Sequence, residues 1–428
     1  MSEIDQPRPA AATPSGPGHP AGDRPFLSDN AMWEAFGGRA LGRIAFGAAE
    51  IGECRAAVAA TGDGGPDAWH AAWTGLADRL AATAADCAAR GHRASARASW
   101  LRAATYYQVG YMPLFGTPVD PRLAAAHDNE EAAFHAAAAL FDPPVEVLAI
   151  PWQGTTLPGY FARVDASGRP RPTIVCTNGY DSNIQEMFFA HAPAALARGY
   201  NCLVFDGPGQ GSVLIRQGLH LRPDWETVVT PVIDHALTRP EIDPRRIVLA
   251  GWSFGGLLAP RAAAFEHRLA ALVADPGQGD QRPGMARLLP IGDADKAAFP
   301  DIDPHLLDRM AAWLAGPEAD PMLRWRLVQR GAWVHGTATL FETLKALAGF
   351  EVLAVAPRIS CPTLLTAAEG DPTAASGAAL LAALTVARKE RIVFTAAEGA
   401  GGHCEAFNRA LYHQRVFDWL DETLGLAC

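Results

Sequence analysis

Residues 246–256 read R-I-V-L-A-G-W-S-F-G-G, an apolar run that breaks into Gly251-Trp252-Ser253-Phe254-Gly255, the pattern G-x-S-x-G. Glycines on both sides of the serine relieve the crowding of a sharp strand-to-helix turn, which leaves the hydroxyl exposed above the end of a sheet. The following helix adds unpaired N–H groups and the positive end of its dipole. With 41 Gly in 428 residues, composition alone produces such a pentapeptide about one time in ten, so the flanking sequence has to decide. Here residues 247–250 read as a buried strand and residues 257–265, L-L-A-P-R-A-A-A-F, as a helix.

Outward from this point the same alternation continues. Residues 145–150 and 155–164 read as a strand pair, and 173–177, 202–205, 272–274, 362–367 and 392–395 as short apolar strands. Helical patterns fill 184–198, 224–238 and 375–384, and a last helix spans about 404–424. Buried strands alternating with helices predict a mostly parallel sheet with helices on both faces, an α/β fold, over residues 143–428. Residues 281–350 interrupt it with helical sequence; Leu288, Leu289, Leu306, Leu307, Met310 and Trp313 are expected to pack this cap over one end of the sheet.

Upstream, residues 26–142 are Ala-rich with apolar residues at helical spacing and predict an all-helical lid domain. Asp67 is the expected N-cap ahead of Trp69 and Trp73, and most of the aromatics, including Tyr106, Tyr107 and Tyr111, are expected in the core. Residues 1–25, crowded with Pro and lacking an apolar run, are expected to form a disordered tail rather than a signal peptide.

A serine is a weak nucleophile until an adjacent base, oriented by a third group, takes its proton. The base candidate is His403 in E-G-A-G-G-H-C-E, a Gly-rich loop after the last strand. His413, the later histidine, falls within a helical pattern. Asp371, in T-A-A-E-G-D-P just past a strand, is the first choice for the orienting acid; Glu369 and Asp275 are the second and third. An oxyanion hole needs two backbone N–H groups. One is Phe254, directly after the serine, and the other is expected at Tyr180 in T-N-G-Y-D-S.

Other chemistry finds little support. The run D-G-P-G-Q-G at 206–211 lacks the spacing of a dinucleotide or phosphate loop and reads as a tight turn near the pocket. No clustered His or Cys spacing suggests a metal site, and no cofactor is expected. A net charge of −10 argues against nucleic acid and anionic membrane partners. No segment reaches 18 consecutive apolar residues. Seven scattered cysteines, an odd number without C-x-x-C spacing, suggest buried thiols in a reducing compartment, hence a cytoplasmic protein.

The stretches N-G-Y-D-S (178–182), D-G-P-G-Q-G (206–211), R-P-D-W-E (222–226), G-W-S-F-G-G (251–256), D-P-G-Q (275–278), C-P-T-L-L (361–365) and G-G-H-C-E (401–405) resemble the α/β-hydrolase superfamily. Within it they resemble the branch with an N-terminal helical domain that includes 2,6-dihydroxypseudooxynicotine hydrolase, FrsA-like esterases and fungal polyketide-shortening hydrolases. The resemblance implies Ser253 as nucleophile, Asp371 as acid, His403 as base, a helical roof over the site, and cleavage of an ester or a C–C bond next to a ketone. Several members are dimers, so it also leaves a homodimer open. A small-molecule substrate, bulky and apolar, is the expected partner. The same triad suits an acyltransferase, cyclase or eliminating lyase, and a noncatalytic ligand-binding protein would be expected to have lost part of it.

Overall fold

The computed structural model describes residues 25–426, so all of the expected tail except Pro25, and Cys428, lie outside the described residues. Five helices come first: α1 (Ala31–Leu41), α2 (Ile51–Thr61), α3 (Pro66–Ala89), α4 (Arg93–Tyr111) and α5 (Pro121–Ala138). On α3, Trp69, Trp73, Leu76 and Leu80 recur at helical spacing and are buried. Trp69 stacks on Trp33 with ring centroids 4.6 Å apart, and Trp73 meets Tyr106 edge-on at 5.5 Å. These aromatics are core, as their spacing implied. Asp67 is not the N-cap: the helix opens at Pro66 with Gly65 in the cap position. Proline has no N–H to leave unpaired and its φ suits the first helical position. Asp67 instead accepts a hydrogen bond from Arg122 Nη1 at 2.7 Å.

Eight strands follow: β1 (Glu146–Trp152), β2 (Thr155–Ala162), β3 (Arg171–Thr177), β4 (Asn201–Phe205), β5 (Ile242–Trp252), β6 (Ala271–Asp275), β7 (Thr363–Ala368) and β8 (Lys389–Phe394). They form one sheet in the order β1-β2-β4-β3-β5-β6-β7-β8. The first two strands pair antiparallel, β2 joins β4 antiparallel, and every pairing from β4 to β8 is parallel. The inner strands β4, β6 and β7 are buried along their whole length, whereas β1 alternates exposed and buried residues. That difference follows from cover: inner parallel strands are sandwiched between helices, and an edge strand keeps one face toward water.

Helices α6 (Ile184–Ala197), α7 (Gly211–Gln217), α8 (Glu226–Ala236) and α9 (Gly255–Ala263) sit between the strands up to β6. Between β6 and β7 lie α10 (Arg282–Leu288), α11 (Asp293–Ala297), α12 (Pro304–Ala315), α13 (Pro321–Arg324), a π-helical turn (Trp325–Arg330), α14 (Gly331–His335) and α15 (Leu340–Ala348). Leu289, Leu307 and Met310 are buried there, but Trp313 is 39% exposed, so the apolar stripe of α12 is narrower than expected. The chain ends with α16 (Gly377–Ala383) and α17 (Arg409–Leu424). The last helix starts five residues later than the sequence pattern suggested, because Cys404 and Glu405 adopt left-handed φ values of 56° and 47° that cannot continue a right-handed helix. Helix α7 was not expected from the sequence at all. Among the described cysteines Cys54, Cys176, Cys202, Cys361 and Cys404 are buried, Cys87 is partly exposed, and all six are free. No helix among the described residues is long and apolar enough to cross a membrane.

Helix α17 is anchored to the sheet through a buried cation. Arg409 Nη1 donates to Asp275 Oδ2 at 2.7 Å and to the Cys404 carbonyl at 3.0 Å, with Glu405 Oε2 3.6 Å away. Removing one partner of a buried pair leaves the other charge uncompensated, which costs about 3–5 kcal/mol. Arg409→Met is therefore expected to lower the thermal unfolding midpoint sharply, measurable by scanning calorimetry, whereas Arg415→Met at the half-exposed pair with Glu398 changes it little.

Candidate active site

Strand β5 ends at Trp252 and α9 begins at Gly255, so Ser253 occupies the turn between them. Its φ of +59° is costly for a side-chain-bearing residue and persists because the surroundings hold it. The Ser253 N–H donates to the Asp275 carbonyl at 2.6 Å, and the Ser253 carbonyl accepts from Gly256 N–H at 2.9 Å and Gln278 Nε2 at 2.6 Å. Gly251 is required at this turn: a Cβ there would lie 1.9 Å from the Gly255 carbonyl oxygen.

Ser253 Oγ is 2.7 Å from His403 Nε2. On the far side of the ring, His403 Nδ1 is 2.8 Å from Asp371 Oδ2. The carboxylate holds the proton on Nδ1, which leaves Nε2 free to accept from the serine hydroxyl. Asp371 is itself fixed: its Oδ1 accepts from Thr373 N–H at 2.9 Å and Thr373 Oγ1 at 2.7 Å. Burial works to lower the His403 pKa, but the charge and hydrogen bond of Asp371, with Asp181 and Asp275 behind them, outweigh it and hold the imidazole above its ordinary value. Burial likewise pushes Asp371 up, and His403 and Thr373 together bring it below the usual carboxylate value.

The other acids and the other histidine point elsewhere. Glu369 accepts from Ala396 N–H at 2.8 Å, and Asp275 is committed to Arg409 and to Thr366 Oγ1 at 2.9 Å. His413 Nε2 lies against the Ala190 carbonyl at 2.7 Å.

Opposite the serine, the loop after β3 carries Tyr180. Gly179 packs so close to Ser253 that a Cβ on it would stand 2.8 Å from Ser253 Cβ. The loop is tied from below by the run at 206–211. Asn178 Oδ1 accepts from Gly179 N–H at 2.7 Å, Asn178 Nδ2 donates to Asp206 Oδ1 at 2.8 Å, and Gln210 Nε2 reaches the Asn178 and Gly179 carbonyls at 2.8 and 3.0 Å. The tight turn read from D-G-P-G-Q-G is thus a brace for this loop.

From above, charges that the sequence did not single out hold it. Asp181 pairs with Arg330 of the π-helical turn at 2.6 Å and with Arg39 of α1 at 3.3 Å. Glu186 pairs with Arg39 and, at 3.0 Å, with Arg43. Burial raises both carboxyl pKa values, but these arginines reverse the effect and hold Asp181 and Glu186 well below the usual range. Deeper in, Glu130 of α5 accepts from Tyr111 Oη at 2.7 Å and Asn183 Nδ2 at 2.8 Å. No cation among the described residues pairs with it directly. Only long-range sequence contacts bring these groups together, so spacing alone could not reveal them; D-P-G-Q, which holds Gln278, did mark the segment behind the serine.

Tyr111, Phe115, Tyr180, Asp181, Leu214, Trp333 and Val334 are among the residues lining a cavity of about 20 Å³. A larger groove of about 520 Å³ runs past Trp152, Pro208, His220 and Arg222. Ser253 lines neither. As to metals, the ligand atoms of His127, Asp128 and Glu131 lie within 4.8 Å of one another. Arg216 already pairs with Asp128, which makes the group an ion-paired patch of α5.

Residues 174–414 match the alpha/beta hydrolase family, and residues 53–278 match the Esterase FrsA-like family. The chain belongs to the α/β hydrolases. It is 32% identical to Hydrolase LUC6 of Fusarium sp over 421 residues, 91% of this chain and 95% of that one. It is 31% identical to 20-hydroxy-prefusarin hydrolase FUS2 of Gibberella moniliformis over 429 residues, 94% of this chain and 98% of that one. Its fold resembles the crystal structure of 2,6-dihydroxy-pseudo-oxynicotine hydrolase, with a TM-score of 0.69 at 23% identity over 90% of this chain and 95% of that one. The α/β-hydrolase fold, with its eight-stranded mostly parallel sheet and N-terminal helical region α1–α5, and membership of a hydrolase enzyme family follow.

Glu130 is expected to give the folding of this α/β hydrolase a pH dependence away from the serine. Burial, opposed by the Tyr111 and Asn183 hydrogen bonds and by Arg43, pushes its pKa up to about 8. Between its ordinary value and about 8 the folded state keeps a proton that the unfolded state has released, so stability falls as pH rises through that window. Glu130→Gln, with no proton to lose, is expected to show a shallower fall in thermal midpoint over the same window, read by scanning fluorimetry.

Proposed function

We propose that this enzyme is a serine hydrolase in which Ser253 is the nucleophile, His403 the general base and Asp371 the orienting acid. The observation that carries the reading is the continuous chain from Ser253 Oγ through His403 to Asp371, at 2.7 and 2.8 Å. The Phe254 and Tyr180 amides are proposed as the oxyanion hole. Phe254 N–H follows the nucleophile at the start of α9, and Tyr180 N–H sits on the braced loop beside it.

In this mechanism His403 Nε2 takes the hydroxyl proton while Oγ attacks a carbonyl carbon. The negative charge on the former carbonyl oxygen is met by the two amides, and the new imidazolium by Asp371. His403 then returns its proton to the leaving group, an alkoxide for an ester or the carbon of an enolate for a bond next to a ketone. The acyl-enzyme is released by water activated at the same nitrogen. Fungal relatives named as hydrolases, one of them for 20-hydroxy-prefusarin, support a small-molecule substrate from secondary metabolism, proposed to be bulky and largely apolar. Residues 26–142 and 281–350 are the proposed lid and cap over it. The aromatic and aliphatic side chains of Tyr111, Phe115, Leu214 and Trp333, which line the cavity beside Tyr180, suit that substrate.

Ser253→Ala is expected to lower kcat on 4-nitrophenyl esters by on the order of 10⁶-fold, with an unchanged circular dichroism spectrum, and to abolish labelling by a fluorophosphonate. Turnover that survives the substitution would sink the proposal. In ¹⁸O-water the released acid carries label; an unlabelled product would point to transfer, cyclisation or elimination instead. Because the base must be neutral and its pKa is raised, kcat/KM should climb with pH through a midpoint above 6.5. Asp371→Asn removes the charge that raises it, so the midpoint should move down while kcat falls by about 10³- to 10⁴-fold.

A further inference from the structure

His335 closes α14, and its Nε2 is buried with no hydrogen-bond partner among the described residues. The imidazole packs against Tyr180 and Phe350, with ring centroids 5.4 and 5.5 Å away. Phe254 completes the circle, 5.2 Å from Tyr180 and 5.1 Å from Phe350. The Tyr180 hydroxyl is likewise buried and unpartnered. Two orphan polar atoms therefore belong to one cluster of four rings, and the backbone of two of those rings carries the proposed oxyanion amides. Folded proteins pair nearly all their buried polar atoms, so two left open on a ring cluster that includes Phe254, the residue after Ser253, and Tyr180, the residue after the closely packed Gly179, are suited to a ligand.

The charges around the cluster decide what kind of ligand group fits. The Arg330 guanidinium lies 4.5 Å from the centre of the Tyr180 ring, but it is already paired with Asp181. Burial, then Arg330 and His220, push the His335 pKa down to about 3, so the ring is neutral at physiological pH. A neutral imidazole and a phenol hydroxyl offer hydrogen bonds without a compensating charge, which favours an uncharged oxygen over a carboxylate.

We propose that His335 Nε2 and the Tyr180 hydroxyl together bind a neutral oxygen, a hydroxyl or ketone, on the apolar body of the substrate, and so select which acyl groups Ser253 attacks. This rests on Ser253 as the nucleophile. A site built around such a hydrogen bond discriminates against the analogue that lacks the oxygen, because its own polar atoms are then left unpaired.

The test uses 4-nitrophenyl esters of 2-naphthoic acid and of its 5-, 6- and 7-hydroxy derivatives. The ratio of kcat/KM values is taken within each enzyme, so a general loss of activity cancels. The wild type is expected to prefer at least one hydroxynaphthoate over the parent by about tenfold. His335→Phe, or His335→Leu if the first variant does not fold, should bring that ratio close to one. A wild type without any such preference, or a preference that survives the loss of the imidazole, overturns the inference. Ser253→Ala run in parallel separates the two claims: if it still cleaves the esters, the proposed nucleophile fails, whereas Ser253-dependent cleavage without discrimination defeats only the role of His335.

Discussion

The hydrogen bond from Ser253 N–H to the Asp275 carbonyl, 2.6 Å long, is the join on which the end of the sheet that carries the serine turn depends. It continues the parallel pairing of β5 with β6, whose last matched residues are Trp252 and Asp275, one step past the point where the chain turns. A left-handed serine is unfavourable by itself; held by that bond, by Gln278 and by the glycine contacts of the turn, it keeps its hydroxyl at the sheet edge. The side chain of Asp275 extends the join sideways. Through Thr366 it meets β7, and through Arg409 it meets α17 and the Cys404 carbonyl next to His403. The serine turn and the histidine loop, 150 residues apart, are thus referred to one residue.

A second constraint is electrostatic. Asp181 and Glu186 lie on and just beyond the loop that faces the serine, and the cations that neutralise them come from three places: Arg39 on α1, Arg43 just after it, and Arg330 between α13 and α14. Buried ion pairs of this kind contribute little net stability, since desolvation offsets the attraction, but a mispaired charge costs several kcal/mol. Here they tie the helical layers to the loop at three cations. Because Arg330 also lies over the Tyr180 ring, the same docking sets the aromatic surroundings of the loop.

Much of this was legible in the sequence. The strand pattern, the G-x-S-x-G turn and the loops holding Asp371 and His403 all follow from local chemistry, because a buried strand is a short apolar run and a sharp turn demands glycine. Less was legible where context overrides pattern. Asp67 suggested an N-cap until Pro66 took the first helical position. The pattern of α17 ran back to residue 404, but the left-handed pair Cys404–Glu405, held by Arg409, cut it short. Helix α7 hid because it begins at Gly211, the last residue of what read as a turn, and runs for only seven residues.

What the sequence alone determined is the order of the candidate groups along the chain: a serine at a forced turn, an acid after a later strand and a histidine in a Gly-rich loop. Those features are local, and glycine, proline and apolar spacing write them plainly. What only the tertiary structure decided is which acid faces the histidine, which cations hold the Tyr180 loop, and that His335 and Tyr180 share one aromatic cluster. Each of these joins side chains that are tens to hundreds of residues apart. Their identity depends on register, burial and the pairing of charge in a low-dielectric interior, none of which has a local signature.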